Sequence, residues 1–147
     1  MVQRLPKSYS ASVPNGKTAL HYAASNHSTE IVEFLIGFEC DKNLQDIDGL
    51  TPLHIAALKN CGEVVEYLLN KGCAPNMINT KNKKTALHYA ASNSSTQVVQ
   101  ILLKFGCEQN LQDINGQTAL HYAACNCSTQ VGKILLESGC EKNLQDI

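Results

Sequence analysis

Thr85-Ala-Leu-His-Tyr-Ala-Ala91 recurs along the chain, unchanged at Thr18–Ala24 and Thr118–Ala124 and as Thr51-Pro-Leu-His-Ile-Ala-Ala57. The leading threonines, at 18, 51, 85 and 118, stand 33, 34 and 33 residues apart, a period that marks a solenoid of repeated supersecondary units. Each copy runs through a polar break into a second apolar run: Ile31-Val-Glu-Phe-Leu-Ile36, Val64-Val-Glu-Tyr-Leu-Leu69, Val98-Val-Gln-Ile-Leu-Leu103 and Val131-Gly-Lys-Ile-Leu-Leu136. Apolar residues at offsets 0, 3 and 4 read as a helix with one broad buried face. The paired alanines of the first segment let neighbouring helices approach closely. Gly72-Cys73, Gly106-Cys107 and Gly139-Cys140 then supply a left-handed cap. The pattern predicts helices near 19–26, 29–37, 52–59, 63–70, 86–93, 96–105, 119–126 and 129–138.

Composition narrows the class. The chain has 147 residues, of which 44% are hydrophobic, and its formal charge is -1, without the basic excess that phosphate backbones attract. No nucleic acid is expected as a partner. Apolar runs fall far short of the roughly 20 residues a bilayer span requires, so no membrane is expected either. Residues 1–13 lack the apolar core of a secretory signal, which makes a cytoplasmic or nuclear location the default.

The Thr-Pro-Leu-His signature, the Ala-Ala pair, the Val-Val-x-x-Leu-Leu run, the Gly-Cys and the Asp48-Gly49 turn together resemble the ankyrin repeat, over about residues 14–147. The resemblance implies an all-α repeat solenoid of α-α pairs with projecting β-hairpin fingers. Four stacked ankyrin repeats are expected, at about 14–46, 47–79, 80–113 and 114–147. Asn143-Leu-Gln-Asp-Ile147 repeats Asn43–Ile47 and reads as a truncated fifth finger, suggesting a segment of a larger protein. Residues 1–13 read as an N-terminal tail or a degenerate repeat. Stacking is physically required, because one unit cannot bury its own apolar face.

The signature residues suit packing. Thr18, Thr51, Thr85 and Thr118 can cap the first helices, and Pro52 fits the first helical position. Histidines 21, 54, 88 and 121 could form a metal ladder or act as bases, but in the resembled family this ring ties the turn to the next repeat. Cys40, Cys73, Cys107 and Cys140 take a small buried position. Repeat spacing of roughly 8–10 Å exceeds the roughly 7 Å Cα limit for a disulfide. They are expected buried, reduced and metal-free. Cys61, Cys125 and Cys127 leave that ladder; Cys125-x-Cys127 alone is too little for zinc and is read as a pair of surface thiols open to oxidation. No cofactor or metal is expected.

Several positions break the pattern. The third finger carries one extra residue, and Lys83 replaces the turn glycine represented by Gly16, Gly49 and Gly116. The expectation is that Asn82 and the insertion reshape the turn and spare Lys83 a positive φ. Glu39 replaces a helix-ending glycine, leaving that cap in question, and Gly132 replaces a β-branched residue and is expected to leave unfilled volume.

Functional information should lie where repeats differ. The variable finger and first-helix positions are Ile47, Asp48, Leu50, Leu58 and Lys59 in the second repeat; Lys81, Asn82, Lys84 and Asn93 in the third; and Ile114, Asn115, Gln117 and Asn126 in the fourth. The resemblance puts them on a concave face that binds another protein, the array itself being monomeric. Ile47, Leu50 and Leu58 form an apolar trio, readable as anchors or as scattered surface hydrophobes. Lys81, Lys83 and Lys84 make a basic tip, suited to an acidic partner segment or simply solvated. Tyr22, Tyr89 and Tyr122 read as packing residues. Catalytic motifs such as G-x-S-x-G, the P-loop and H-E-x-x-H are missing, so no enzyme is expected. Two alternatives remain: structural spacer repeats, and a substrate of an asparaginyl hydroxylase acting on Asn43, Asn76, Asn110 or Asn143. For the latter, Lys42, Pro75, Gln109 and Lys142 stand where the family's targets have an aliphatic residue.

Overall fold

Eight short helices form in four pairs: α1 (Ala19–Ser25) with α2 (Thr29–Gly37), α3 (Pro52–Leu58) with α4 (Gly62–Asn70), α5 (Ala86–Ser92) with α6 (Thr96–Lys104), and α7 (Ala119–Cys125) with α8 (Thr129–Glu137). The computed structural model describes residues 14–139. The expected tail or degenerate repeat at 1–13, Cys140 and the partial finger at 143–147 lie outside the described residues.

Helices of seven to nine residues are marginal alone and need caps and tertiary burial. The first helices receive both. The Thr51 hydroxyl accepts the His54 amide at 3.2 Å while His54 Nδ1 accepts the Thr51 amide at 3.0 Å, a capping box with imidazole in the place of a carboxylate. The same reciprocal arrangement starts α1 and α5. Burial follows from stacking: each first helix packs on the next first helix, and each second helix on the next second helix. Leu20, Leu87, Leu68, Leu102 and Leu135 are buried between the two rows, and Ala24, Ala56, Ala57, Ala90 and Ala91 have no exposed surface, which is what close helix approach requires.

The fingers differ from the β-hairpins expected. Among the described residues no strand occurs. Each finger is a tight turn with one backbone rung, Asp46 N–H to the Leu50 carbonyl at 2.9 Å and Asp113 N–H to the Gln117 carbonyl at 2.9 Å. The aspartate side chain takes the place of the second rung, its Oδ1 accepting the Leu50 amide in one finger and the Gln117 amide in the other, both at 2.9 Å. Adjacent fingers are joined by Ile47 N–H to the Asn15 carbonyl at 3.0 Å and Ile114 N–H to the Asn82 carbonyl at 2.9 Å.

Two backbone expectations need correction. Asn82 does reshape the third finger, its Oδ1 accepting the Lys84 amide at 2.9 Å, yet Lys83 still adopts φ 59°. The Asn79 carbonyl receives the Lys83 amide at 2.8 Å and holds it there, against a left-handed cost of about 1–2 kcal/mol. Glu39 likewise takes φ 58° and closes α2 through its amide to the Ile36 carbonyl at 3.0 Å, so the cap forms without glycine.

Position within the stack explains three further departures. Gly132 leaves no internal void: a Cβ there would meet nothing within 4 Å. Val32, Val65 and Val99 at the same place are buried by the following second helix, and α8 has no such neighbour among the described residues. At the other end, Ile31 is 52% exposed where Val64, Val98 and Val131 are buried. Cys40, expected buried, is exposed for the same reason. The thiols of Cys73 and Cys107 reach the preceding unit, at the carbonyls of Lys42 (3.9 Å) and Pro75 (3.7 Å), whereas no helix pair precedes α1 and α2, the pair that Cys40 follows, among the described residues.

Candidate partner-binding face

The repeated histidines are committed to architecture. With Nδ1 accepting the threonine amide, Nε2–H of His21 donates to the Leu50 carbonyl at 2.9 Å, that of His54 to Met77 at 2.8 Å and that of His88 to Gln117 at 3.0 Å. Both ring nitrogens are therefore used by the neutral form. Burial pushes all three below the ordinary imidazole range, His54 to about 4. These bonds hold each finger against the first helix of the preceding unit, and so fix the row on which the sequence-derived candidates stand.

The candidates separate into exposed, half-buried and already bonded residues. Ile47 and Ile114, at the same place in the second and fourth fingers, are 62% and 54% exposed, and Thr80 holds that place in the finger between them. Leu50 and Leu58 are half-buried and pack against the core, so only part of each faces solvent. Asp48 and Lys81 are bonded to one another at 2.8 Å across adjacent fingers, and the ammonium beside it lowers the Asp48 carboxyl from its usual value. Lys84 lies over the ring of Tyr122 at 4.4 Å and that of Tyr89 at 5.9 Å. The basic tip is thus largely engaged within the protein.

The asparagine candidates serve as ties. Asn93 Nδ2 donates to the Leu58 carbonyl and Asn126 Nδ2 to the Ser92 carbonyl, linking the ends of successive first helices. Asn82 shapes its own finger and also donates to the Tyr89 hydroxyl at 3.2 Å. Gln117 and Asn115 give their amides to Asp113. Lys59 is exposed beside Leu58. Asn43 and Asn76, considered as hydroxylation positions, accept the Ala74 and Glu108 amides of the next unit at 3.1 and 2.9 Å.

Some features of this face were missed. Ile78 and Leu44 are 44% and 39% exposed on the fingers and extend the apolar surface; both were hidden within a motif read as uniform. Tyr122 donates to Asp113 Oδ2 at 2.6 Å; burial raises the phenol, and this hydrogen bond raises it further. Burial alone would raise the Asp113 carboxyl, but that hydrogen bond and the Gln117 and Asn115 amides outweigh it and hold it low. Asp46 is buried with Oδ2 unpartnered among the described residues.

The remaining cysteines divide. Cys125 and Cys127 are exposed, but Cys61 is buried with Sγ 3.4 Å from the Ala24 carbonyl. It holds the place of Ser28, Ser95 and Ser128 before the second helix, an alignment that could have revealed its role. An open depression of about 300 Å³ lies at these corners, lined by His27, Asn60, Cys61 and Gln97 among others, and contains none of the sequence-derived candidates. No group of three metal-ligating side chains is gathered among the described residues, and no helix there is long and apolar enough to cross a membrane.

A search of curated proteins returned no match. The family model described as ankyrin repeats (3 copies) matches residues 1–79 and again 71–146. Ankyrin repeats are generally protein–protein interaction modules. With the helix pairs, capping boxes and inter-unit histidine bonds described above, this match places the chain in the ankyrin-repeat family.

Proposed function

We propose that the chain holds a partner protein along the row formed by its fingers and first helices. The observation that carries this reading is the exposure of a large aliphatic residue on each of three successive fingers, Ile47 and Ile114 just after the turn aspartate and Ile78 just before Asn79, on a framework whose buried positions are nearly invariant from unit to unit. Exposed hydrophobes on neighbouring fingers are suited to act as anchors. Leu50 and Leu58 add the half-exposed floor beside them. Because Lys81 is neutralised by Asp48 and Lys84 rests on tyrosine rings, affinity is assigned to the apolar contacts, with the lysines acting on approach and salt sensitivity.

Ile47→Ser with Ile114→Ser tests this without entering the core. Immobilised wild-type chain and the double variant are compared for retained proteins from a native extract, with circular dichroism melts as the folding control. Specific loss of retained proteins at an unchanged melting temperature supports the assignment. Unchanged retention by this variant, together with loss on changing the exposed Phe34 of α2, would move the binding face to the second helices.

A further inference from the structure

The contact between neighbouring units is made three times among the described residues, with α1 on α3, α3 on α5 and α5 on α7, and the second helices follow the same order. Each contact joins the downstream face of one unit to the upstream face of the next. On the upstream face, Ile55 and Tyr89, Val64 and Val98, and Leu68 and Leu102 are buried. The first unit has Tyr22, Ile31 and Leu35 at those places, the first two exposed and the third half-buried. Phe34, about one helical turn beyond Ile31, is 66% exposed. On the downstream face, Leu20, Leu53 and Leu87 are buried and Ala24, Ala57 and Ala91 are fully covered, whereas Leu120 is half-buried and Ala124 exposed. The first and fourth units therefore each present one half of a contact that the chain already makes.

The two halves also match in volume and in hydrogen bonding. Where Val32, Val65 and Val99 face a following helix, the fourth unit has Gly132, with open space around its Cβ position. Where Val64, Val98 and Val131 face a preceding one, the first unit has the bulkier Ile31. Volume added on one half meets volume removed on the other, the kind of exchange that packed contacts tolerate best. Within the chain, His21 and His88 donate to the carbonyl just before the next capping threonine, and in the first unit that carbonyl belongs to Lys17. His121 has the same Nδ1 contact with Thr118, and its Nε2 meets no carbonyl among the described residues. Asn93 and Asn126 donate backwards to Leu58 and Ser92; the corresponding pair across the two outer faces is Asn26 and the Cys125 carbonyl.

We propose that the fourth unit of one copy of this chain stacks on the first unit of a second copy, repeating the contact between units, in place of the monomer expected from the sequence. Ile31 and Phe34 then fill the space over Gly132, His121 Nε2–H reaches the Lys17 carbonyl, and Asn26 reaches that of Cys125. Because the two faces differ, the joint is head-to-tail and leaves a free face at either end, so assembly grows with concentration and does not stop at a dimer. It also carries the row of fingers across the joint.

Sedimentation velocity of the full chain in reducing buffer, from about 1 µM to about 1 mM, reads the assembly directly. The weight-average mass should rise steadily past two chains. Alkylation of Cys40 should slow with it, as Cys73 and Cys107 are buried at the same place against a preceding unit. Ile31→Glu with Phe34→Glu blocks one face and Gly132→Glu the other. Each variant should weaken self-association at least about tenfold without lowering the melting temperature. Mixed in equal amounts, the two should form a one-to-one dimer and nothing larger, because one intact face of each kind remains. The Ile47→Ser, Ile114→Ser chain should assemble like wild type, which keeps loss of partner binding and loss of assembly separate results.

A single-chain mass across the whole range would overturn the proposal. So would undiminished dimerisation of either face variant alone, which marks a symmetric contact, or loss of assembly in the Ile47→Ser, Ile114→Ser chain, which moves the contact to the fingers. Nuclear Overhauser effects between Phe34 and residues 1–13 within one chain would assign the face to that segment and overturn it as well.

Discussion

Acidification attacks the rings that join the units. His54 works only as the neutral ring, because a proton on Nδ1 would point at the Thr51 amide hydrogen it now accepts, 3.0 Å away. Burial holds His54 at about 4 instead of 6.5, and the Met77 carbonyl, which acts in the opposite sense, does not offset it. Between those values the unfolded chain binds a proton that the folded chain refuses. The ring's contribution is therefore complete above about pH 6.5, is lost as pH falls, and levels off near pH 4. The difference between 6.5 and about 4, at 1.36 kcal/mol per pH unit, corresponds to about 3 kcal/mol, of which about 2.5 kcal/mol falls between pH 7.5 and 4.5. His21 and His88, also lowered by burial, act in the same direction. Asp113 does not confuse the window, since its lowered carboxyl begins to matter only below its ordinary 3.8. Urea unfolding followed by circular dichroism across this range should show the fall, and His54→Gln should remove its His54 share. A stability constant to within about 0.5 kcal/mol, or a His54 ring titrating by NMR at 6.5 or above, would refute the reasoning.

Tyr122→Phe leaves Asp113 Oδ2 in the state of Asp46 Oδ2 and should cost about 1.5–3 kcal/mol, read from thermal melts; an unchanged melting temperature would show that the bond contributes nothing net. Iodoacetamide at about pH 8 should modify Cys40, Cys125 and Cys127 in the native chain and Cys61, Cys73 and Cys107 only after denaturation, as mapped by peptide mass spectrometry. Burial raises the last three thiols, Cys73 to about 11 and Cys107 to about 12, so labelling of Cys73 as fast as Cys125 would contradict its placement.

The period and the offsets of Val64, Tyr67 and Leu68 made the helix pairs legible, because helical burial leaves a regular mark on sequence. What periodicity does not carry is position in the stack. Ile31, Cys40 and Gly132 share their places with buried residues, but a place is buried only if a neighbouring unit covers it. Nor does composition reveal that a charge is already spent. Lys81 and Lys84 read as a free basic tip, while Asp48 and two tyrosine rings, brought near by stacking, absorb them. Lys83 and Glu39 show the same limit for backbone preference, since local hydrogen bonds hold both in a conformation usually left to glycine.

The ties between units all have nearly the same reach. Histidine to carbonyl, asparagine to carbonyl and asparagine to amide, they join residues 23 to 35 positions apart and always link a unit to its immediate neighbour. Forming the structure thus requires a succession of similar, modest loop closures, and none that spans the chain. Folding can start at any adjacent pair and zip outward, each added unit finding its template already in place. The same wiring makes communication between distant fingers serial: a disturbance at the first can reach the fourth only by passing through the two between them.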